Sequence, residues 1–105
     1  MSDVKLFFKI ADELNITTQQ VKSTVQLLDE GGTVPFISRY RKEMTGSLDE
    51  VQILSIKTEI ERLRQLEVRR ESILKSIESQ GKLTEELKEK ILEAETLSKL
   101  EDLYL

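Results

Sequence analysis

The stretch between Gly46 and Gly81 contains neither glycine nor proline. Those residues most often end a helix or form a tight turn, so an uninterrupted stretch of this length favours one long helix. Its first residues, Ser47-Leu48-Asp49-Glu50, have the S/T-x-x-E/Q spacing of a capping box, which predicts that the helix begins there. Nowhere do β-branched residues alternate with polar ones over a useful length, so no strand is predicted. The expected fold is all-α.

Apolar residues of the long helix recur at intervals of three and four, as on one face of a helix. Beyond Leu63, the next two positions of this seam fall on Glu67 and Arg70. A seam interrupted by two charged residues is too polar for a free-standing coiled coil. We therefore expect the helix to pack on helices of its own chain or of a continuation of the chain. The apolar members of the seam are Ile53, Ile56, Ile60, Leu63, Leu74 and Ile77.

Shorter helices are predicted on both sides of the long one. Their starts carry threonine caps or a first-turn proline, and their ends carry asparagine or glycine, which tolerate a left-handed conformation. One start, Thr17 with Gln20, is a further capping box. The predicted helices run from about Asp3 to Leu14, from Thr17 to Gly31, from Thr33 or Val34 through Pro35 to near Gly46, from Thr84 to about Glu95, and onward from Thr96.

Residues 8–27 have the spacing of a helix-turn-helix. A small residue, Ala11, would let the second helix cross closely, and Ile16 would plug the turn. The pattern departs from the usual one, because Asn15 replaces glycine and Thr24 stands where an apolar residue is preferred. The second helix also carries one lysine against two acidic residues, too little charge for several phosphates. Two packed helices without a DNA-reading role are therefore favoured over a DNA reader.

Residues 33–46, TVPFISRYRKEMTG, hold three basic residues and one acidic residue, a balance of +2 in a chain of net charge −4. The apolar side of a helix in this segment is expected to anchor it to the core, and its basic side to face solvent. The basic residues either bind phosphate or carboxylate groups or pair with acidic helix surfaces. The apolar residues are Phe36, Ile37, Tyr40 and Met44, and the basic ones are Arg39, Arg41 and Lys42.

Two other features could also bind anions. Arg69 and Arg70 add positive charge to the long helix, although neighbouring glutamates largely cancel it. Gly31-Gly32-Thr33 places backbone amides before a helix, which suits an anion, but it lacks the full phosphate-loop pattern.

The composition argues against catalysis. The chain has no histidine and no cysteine, which removes the commonest general base, the commonest metal ligand and any thiolate chemistry. No nucleophile or phosphate-loop motif is present, so we expect no enzyme activity, catalytic residue, metal site or cofactor. No signal peptide or membrane span is apparent either, and a cytoplasmic location without membrane contact is expected.

The helix pattern suggests two parts, a helix-turn-helix-like subdomain at residues 1–46 and the long helix with the C-terminal helices at residues 47–105. The sequence ends in three large residues, Leu103, Tyr104 and Leu105, with nothing after them to cover them. This cluster is a candidate interaction surface, and it leads us to expect that the chain is the N-terminal part of a longer protein.

Two long strings carry a resemblance to a known family: VPFISRYRKEMTGSLDE and LRQLEVRRESILKSIESQGKLTEELKEKILEAETLSKLEDLYL. The sequence closely resembles the N-terminal region of the bacterial Tex family of transcription accessory proteins. The resemblance covers nearly the whole chain and is strongest from Thr33 to Leu105. It implies a cytoplasmic, multi-domain protein that binds nucleic acid, with an RNase H-like domain, a helix-hairpin-helix region and an RNA-binding OB-fold domain beyond this segment.

The resemblance implies that the N-terminal helices are a scaffold, while nucleic acid, RNA or DNA, is bound mainly by later domains. The basic helix would play an auxiliary role, and the transcription machinery and the later domains would be further partners. A protein–protein interaction module, docking through the long helix and the apolar C-terminus, is the alternative. The candidate nucleic-acid contacts are Arg39, Arg41, Lys42, Arg69 and Arg70.

Overall fold

The computed structural model describes residues 3–105. These residues form seven helices and no strand, which confirms the all-α prediction. The chain divides into two compact units between Arg62 and Leu63, a point inside the long helix; the sequence pattern predicts a boundary at residues 46–47 instead. Within the described residues, no helix has the length and apolar character needed to cross a membrane.

Unit 1, up to Arg62, contains four complete helices and the first part of the long helix. The predicted capping box is present, since Gln20 N donates to Thr17 Oγ1 and Thr17 N to Gln20 Oε1, both at 3.0 Å. Asn15 ends the first helix in the left-handed conformation, as predicted, with φ 56°. The helices are α1 (Val4–Leu14), α2 (Thr18–Asp29), α3 (Val34–Tyr40), α4 (Lys42–Thr45) and the start of α5 (Glu50–Ser79).

The core of unit 1 consists of aliphatic side chains from α1, α2, α3 and α5. The six most buried of them are at most 1% exposed, so each of these contributes the full free energy of its burial, about 1.5–3 kcal/mol relative to an exposed side chain. The helix α4 is tied to α2 by Gln20, whose Nε2 donates to Thr45 O and Gly46 O at 3.2 Å. The most buried of these core residues are Ile10, Val21, Val25, Ile37, Ile53 and Ile56.

The long helix begins later than predicted. Asp49 is its cap, because Gln52 N donates to Asp49 Oδ1 at 2.8 Å and Asp49 N donates to Gln52 Oε1 at 3.0 Å. Ser47, the predicted cap, follows Gly46 in the left-handed region at φ 67° and belongs to the turn between α4 and α5. A capping box is therefore present at the start of α5, but it is formed by Asp49 and Gln52, two residues later than predicted.

Unit 2, from Leu63 onward, contains the rest of α5 together with α6 (Glu85–Glu93) and α7 (Leu97–Tyr104). The predicted caps are confirmed, since the hydroxyl groups of Thr84 and Thr96 accept hydrogen bonds from Leu87 N at 3.1 Å and Lys99 N at 3.2 Å. Ile91 of α6 and Leu100 of α7 are fully buried. Both C-terminal helices therefore have an apolar anchor.

The seam of α5 differs from the predicted one beyond Leu63. Its next buried positions are Leu66, Arg70, Ile73 and Ile77. Glu67 and Leu74, which the sequence pattern placed on the seam, are only half-buried. The pattern takes two successive three-residue steps, from Ile60 to Leu63 and on to Leu66, where a strict heptad would take three and then four. An α-helix has 3.6 residues per turn, already more than the 3.5 of a heptad, so an extra three-residue step moves the buried face away from the heptad seam instead of restoring it. The step therefore marks a change in which face of α5 is buried.

Candidate nucleic-acid interface

The net-positive segment begins with a capped turn. Thr33 Oγ1 accepts a hydrogen bond from Phe36 N at 3.2 Å, which settles the cap as Thr33, and Pro35 occupies the first turn as predicted. The segment is not the single short helix that the sequence predicts. It breaks at Arg41, whose φ of −131° and ψ of 30° are not helical, and this residue ends α3 and precedes α4.

The aromatic residues of this segment are exposed, contrary to the prediction that they anchor it to the core. Phe36 is 42% exposed and Tyr40 is 60% exposed, whereas Val34 and Ile37 are buried. Residues three and four apart share a helix face. Val34 and Ile37 form one such face, and Phe36 and Tyr40, four residues apart, form another. The sequence pattern did not show which of the two faces the rest of unit 1 covers.

The exposed rings form a cluster with one cation. The ring centroids of Phe36 and Tyr40 are 5.3 Å apart with an interplanar angle of 47°. At the break in the helix, the guanidinium carbon of Arg41 lies 4.9 Å from the centroid of the Phe36 ring, within cation–π range. Arg41 Nη1 also donates to Tyr40 O at 2.9 Å. The guanidinium is therefore held against one ring and leaves the other uncovered.

The two other basic residues of the segment, Arg39 and Lys42, are exposed. Among residues 3–105 neither has an ion-pair partner. The sequence left two alternatives for these side chains, binding an anionic ligand or pairing with acidic residues of neighbouring helices. Among residues 3–105, Arg39 and Lys42 do not form such pairs. We refer to Phe36, Arg39, Tyr40, Arg41 and Lys42 together as the basic-aromatic surface.

An open groove of about 460 Å³ lies beside this surface. Phe36 and Arg41 line it, with Glu30, Gly31 and Gly32 from the loop after α2. A Cβ atom on Gly32 would lie 2.9 Å from Leu27 O and 3.2 Å from the Ile37 side chain, so only glycine fits this close approach. Sequence reasoning noted the two glycines as possible anion-binding amides but did not predict the groove.

Arg69, the first of the two candidates on α5, is engaged within unit 2. Its Nε and Nη2 donate to the Glu101 carboxylate at 2.8 and 2.7 Å, and its guanidinium lies 5.3 Å from the centroid of the Tyr104 ring. The hydrogen bonds raise the pKa of Arg69 and lower the pKa of Glu101 from their ordinary values. The side chain of Arg69 is still 37% exposed.

Arg70 is buried, at 8% exposed, and does not belong to an exposed basic surface. Its Nη1 donates to Ile91 O, and its Nε and Nη2 donate to the Glu67 carboxylate at 3.3 and 3.2 Å. The reason is its position on the buried seam of α5. Of the two arginines grouped as candidates on α5, Arg70 is a structural residue.

The predicted C-terminal interaction surface is only partly exposed. Leu103 is half-buried and lines a groove of about 360 Å³ with Ala94 and Lys99. Tyr104 is 37% exposed, and its hydroxyl group lies 2.7 Å from Ser76 Oγ. Leu105 is fully exposed. The three residues therefore differ widely in exposure, and the interaction surface stays a prediction.

A pair of carboxylates that sequence reasoning missed lies in unit 1. Burial raises the pKa of Glu13, helped by a hydrogen bond with Glu59. The pKa of Glu59 is lowered chiefly by the Arg62 guanidinium, whose Nε donates to it at 3.0 Å. The described residues contain no cluster of three or more carboxylates that could hold a metal ion, and a pair bound to an arginine in this way is a structural contact.

These observations describe a small all-α chain with an exposed basic-aromatic surface on one unit. Comparison with known proteins defines its family. Residues 4–78 match the family described as the Tex-like protein N-terminal domain, and the chain belongs to that family.

Individual relatives agree with this assignment. The chain is 53% identical over 96 residues to Protein YhgF of Escherichia coli (strain K12), covering 91% of this chain and 12% of that protein. It is 49% identical over 96 residues to the Transcriptional accessory protein Tex of Neisseria gonorrhoeae, covering 91% of this chain and 13% of that protein. It is 30% identical over 92 residues to the S1 RNA-binding domain-containing protein 1 of Pongo abelii, covering 88% of this chain and 9% of that protein. The chain thus spans about an eighth of the length of its bacterial relatives.

Proposed function

We propose that this chain is the N-terminal helical scaffold of a Tex-like transcription accessory protein and that its basic-aromatic surface is an auxiliary contact to nucleic acid. The main binding would come from domains outside this chain. Family membership supports the first part. The name of the Pongo abelii relative, S1 RNA-binding domain-containing protein 1, supports nucleic-acid binding by domains outside this chain.

The observation that carries the proposal is the state of Arg39 and Lys42. Both are exposed, and among residues 3–105 neither pairs with a carboxylate. They lie in a segment of charge +2 within a chain of net charge −4. Lysine and arginine that neutralise phosphates release counterions, which is the main source of sequence-independent affinity for nucleic acid. Arg39 and Lys42 are therefore available for an anionic ligand, and they lie together in a net-positive segment.

The proposed role is binding and support, without a catalytic group, metal or cofactor from this segment. The absence of histidine and cysteine from the sequence supports it. A cytoplasmic location and partners in the transcription machinery form part of the same proposal, supported by the name of the Neisseria gonorrhoeae relative, a transcriptional accessory protein.

The test is a triple substitution in the full-length protein, Arg39→Ala with Arg41→Ala and Lys42→Ala. We expect the affinity for a labelled RNA to fall about fivefold or more at low salt, because phosphate contacts are lost. The slope of log affinity against log salt should decrease by about 2, since each phosphate contact contributes about 0.7–0.9 to it. Fluorescence anisotropy across a salt series measures both quantities.

The matched control replaces three exposed lysines elsewhere, Lys57, Lys82 and Lys88, by alanine. It changes the net charge equally but leaves the basic-aromatic surface intact. Equal loss of affinity in both triple variants would mean that only net charge matters. Unchanged binding by the first variant would leave the scaffold role alone.

One observation favours the alternative function, a protein–protein interaction module. Leu92 and Leu97 of the C-terminal region are 51% and 42% exposed, although leucine is usually buried. Exposed apolar side chains near a groove are typical of surfaces that dock another protein. If this alternative is correct, another protein should bind to unit 2, and nucleic acid should not depend on α3 for its binding.

A further inference from the structure

We propose that the groove beside Phe36 is a docking site for α6 of a second copy of this chain. Leu92 of that copy would enter the groove, and the charged side chains next to it would pair with those that line the groove. The inference goes beyond the proposed contact to nucleic acid. It names a partner and two surfaces for the protein–protein alternative.

The groove combines apolar side chains with one charged group of each sign. Leu27, Phe36 and Ile37 provide the apolar part, and the volume of about 460 Å³ is within the range of sites that hold large side chains or small ligands. The cation is Arg41 and the anion is Glu30. Within residues 3–105, neither of these two forms an ion pair. The groove can therefore accept an apolar side chain that has charges of both signs beside it.

The helix α6 exposes such a side chain. Leu92 is 51% exposed, whereas its neighbour Ile91 is fully buried. Glu89 precedes Leu92 by three residues and Lys88 precedes it by four, so the three side chains share one face of the helix. Lys88 and Glu89 are exposed, and in the part of the chain that the structure describes they have no ion-pair partner. This face therefore has an apolar centre beside one cation and one anion.

The two surfaces are complementary in polarity and in charge. Leu92 would cover the apolar side chains of the groove and remove its own apolar surface from water. Lys88 would pair with Glu30, and Glu89 would pair with Arg41, so each charge gains a partner that it lacks in a single chain. An amphipathic helix that lays its apolar face in a groove is a recurrent mode of protein recognition.

The distribution of charge along the chain favours the same pairing of copies. Residues 33–46 hold three basic residues and one acidic residue, whereas residues 81–105 hold four basic and seven acidic residues. Segments of opposite charge on two copies attract each other, while contact between two like segments is repulsive. The cations of residues 33–46 are also those of the proposed contact to nucleic acid. RNA and the second copy would therefore compete for them.

The test reverses the charges of each surface in the full-length protein without changing its net charge. The groove variant combines Glu30→Lys with Arg41→Glu, and the helix variant combines Lys88→Glu with Glu89→Lys. Each variant alone would set like charges against each other, so we expect the dissociation constant of self-association to rise about tenfold or more. All four substitutions in one chain bring opposite charges together again and should recover most of the affinity. Sedimentation velocity over a concentration series measures the dissociation constant.

A further variant tests the apolar anchor. Leu92→Ser should raise the dissociation constant about tenfold or more, because the groove loses the side chain that fills it. The matched control is Val68→Ser on α5, also in unit 2, where the side chain is 70% exposed. The control should associate normally. Circular dichroism spectra that match the unsubstituted protein would show that all variants remain folded.

Recovery in the fourfold variant supports the inference, because a second set of substitutions would not repair a folding defect. Loss in both charge variants without recovery overturns it, and so does normal association of the groove variant. A full-length protein that stays monomeric up to about 100 μM, well above the micromolar end of specific interfaces, overturns it as well.

The helix variant separates this inference from the proposed function. It leaves residues 33–46 unchanged, so its affinity for a labelled RNA should stay within about twofold of the unsubstituted protein. A monomeric helix variant that binds RNA normally supports the inference and leaves the contact to nucleic acid intact. Failure of the contact to nucleic acid would instead appear as unchanged RNA binding by the triple cation variant.

Discussion

Two threonines of unit 1 are fully buried but differ in what their hydroxyl groups contact. Thr45 Oγ1 accepts a hydrogen bond from Leu48 N at 3.3 Å and donates to Lys42 O at 3.4 Å. Thr24 Oγ1 has no hydrogen-bond partner among the described residues. Burying a hydroxyl group without a partner costs free energy, whereas a bonded hydroxyl group does not carry this penalty. The hydroxyl group of Thr24 therefore lowers the stability of the fold, whereas that of Thr45 connects Lys42 O and Leu48 N through hydrogen bonds.

We predict opposite effects of valine at these positions. Thr24→Val should raise the free energy of unfolding by about 1 kcal/mol, because it removes an unsatisfied polar group and keeps the shape. Thr45→Val should lower it by about 1–2 kcal/mol, because Leu48 N loses its acceptor in a buried environment. Urea denaturation followed by circular dichroism measures both. Destabilisation by Thr24→Val would show that its hydroxyl group has a partner in solution, such as a water molecule.

At the scale of single residues, the sequence was informative about burial but not about partners. It marked Thr24 as a polar residue at an apolar position, and the side chain is indeed fully buried. It placed Arg70 on the seam of α5 and also among the candidate nucleic-acid contacts. The structure agrees with the seam position only, since Arg70 is buried and its hydrogen-bond partners are Glu67 and the sequence-distant Ile91.

The junction between α4 and α5 depends on a glycine that meets another helix. Gly46 has φ 69°, and a Cβ atom there would lie 2.7 Å from Nε2 of Gln20 on α2. That amide donates to Thr45 O and Gly46 O. Gly81, after α5, has almost the same φ, 70°, but nothing lies within 4 Å of its Cβ position. An alanine at Gly81 would therefore meet only backbone strain, whereas an alanine at Gly46 would meet the same strain and a steric clash with Gln20.

Gly46→Ala should therefore destabilise the protein more than Gly81→Ala does. We expect about 1 kcal/mol for Gly81→Ala, from the left-handed conformation alone. About 2 kcal/mol is expected for Gly46→Ala, because Gln20 must also move and lose its hydrogen bonds. Urea denaturation measures both. In a Gln20→Ala background the extra cost of Gly46→Ala should disappear; an extra cost that persists there would point to strain elsewhere in the junction.

Helix ends could be predicted from the sequence more reliably than helix faces. Caps depend on local chemistry, and those predicted at Thr17, Thr84 and Thr96 are present. Faces depend on what packs against them, which a single helix does not reveal. For that reason Leu66 rather than Glu67 lies on the seam of α5, and the ring of Phe36 faces solvent.

At the scale of the whole molecule, the second candidate function makes a prediction of its own. If exposed leucines of unit 2 dock another protein, the 105-residue chain should also associate with itself as its concentration rises. Replacing Leu92 and Leu97 by serine should then restore a monomer in sedimentation velocity. The matched control replaces Val51 and Leu54 of α5, 72% and 52% exposed, by serine. A monomer at every concentration before any substitution would contradict the self-docking form of this candidate.

The fold class and the family were both accessible from the sequence, because helix periodicity and long shared strings extend over most of the chain. The candidate site was only partly accessible. The composition of residues 33–46 identified the cations, but the exposure of Tyr40 and the groove at Gly32 result from packing between helices. Local sequence patterns contain no record of such packing.

Arg70 has a consequence for how unit 2 acquires its structure. Ile91, whose carbonyl oxygen it binds, lies in the last turn of α6, where carbonyl groups have no partner within their own helix. A helix of nine residues is too short to persist alone in water. The guanidinium group of Arg70 supplies a donor that the last turn of α6 lacks, so this short helix depends on α5 for its stability as well as on its own hydrogen bonds.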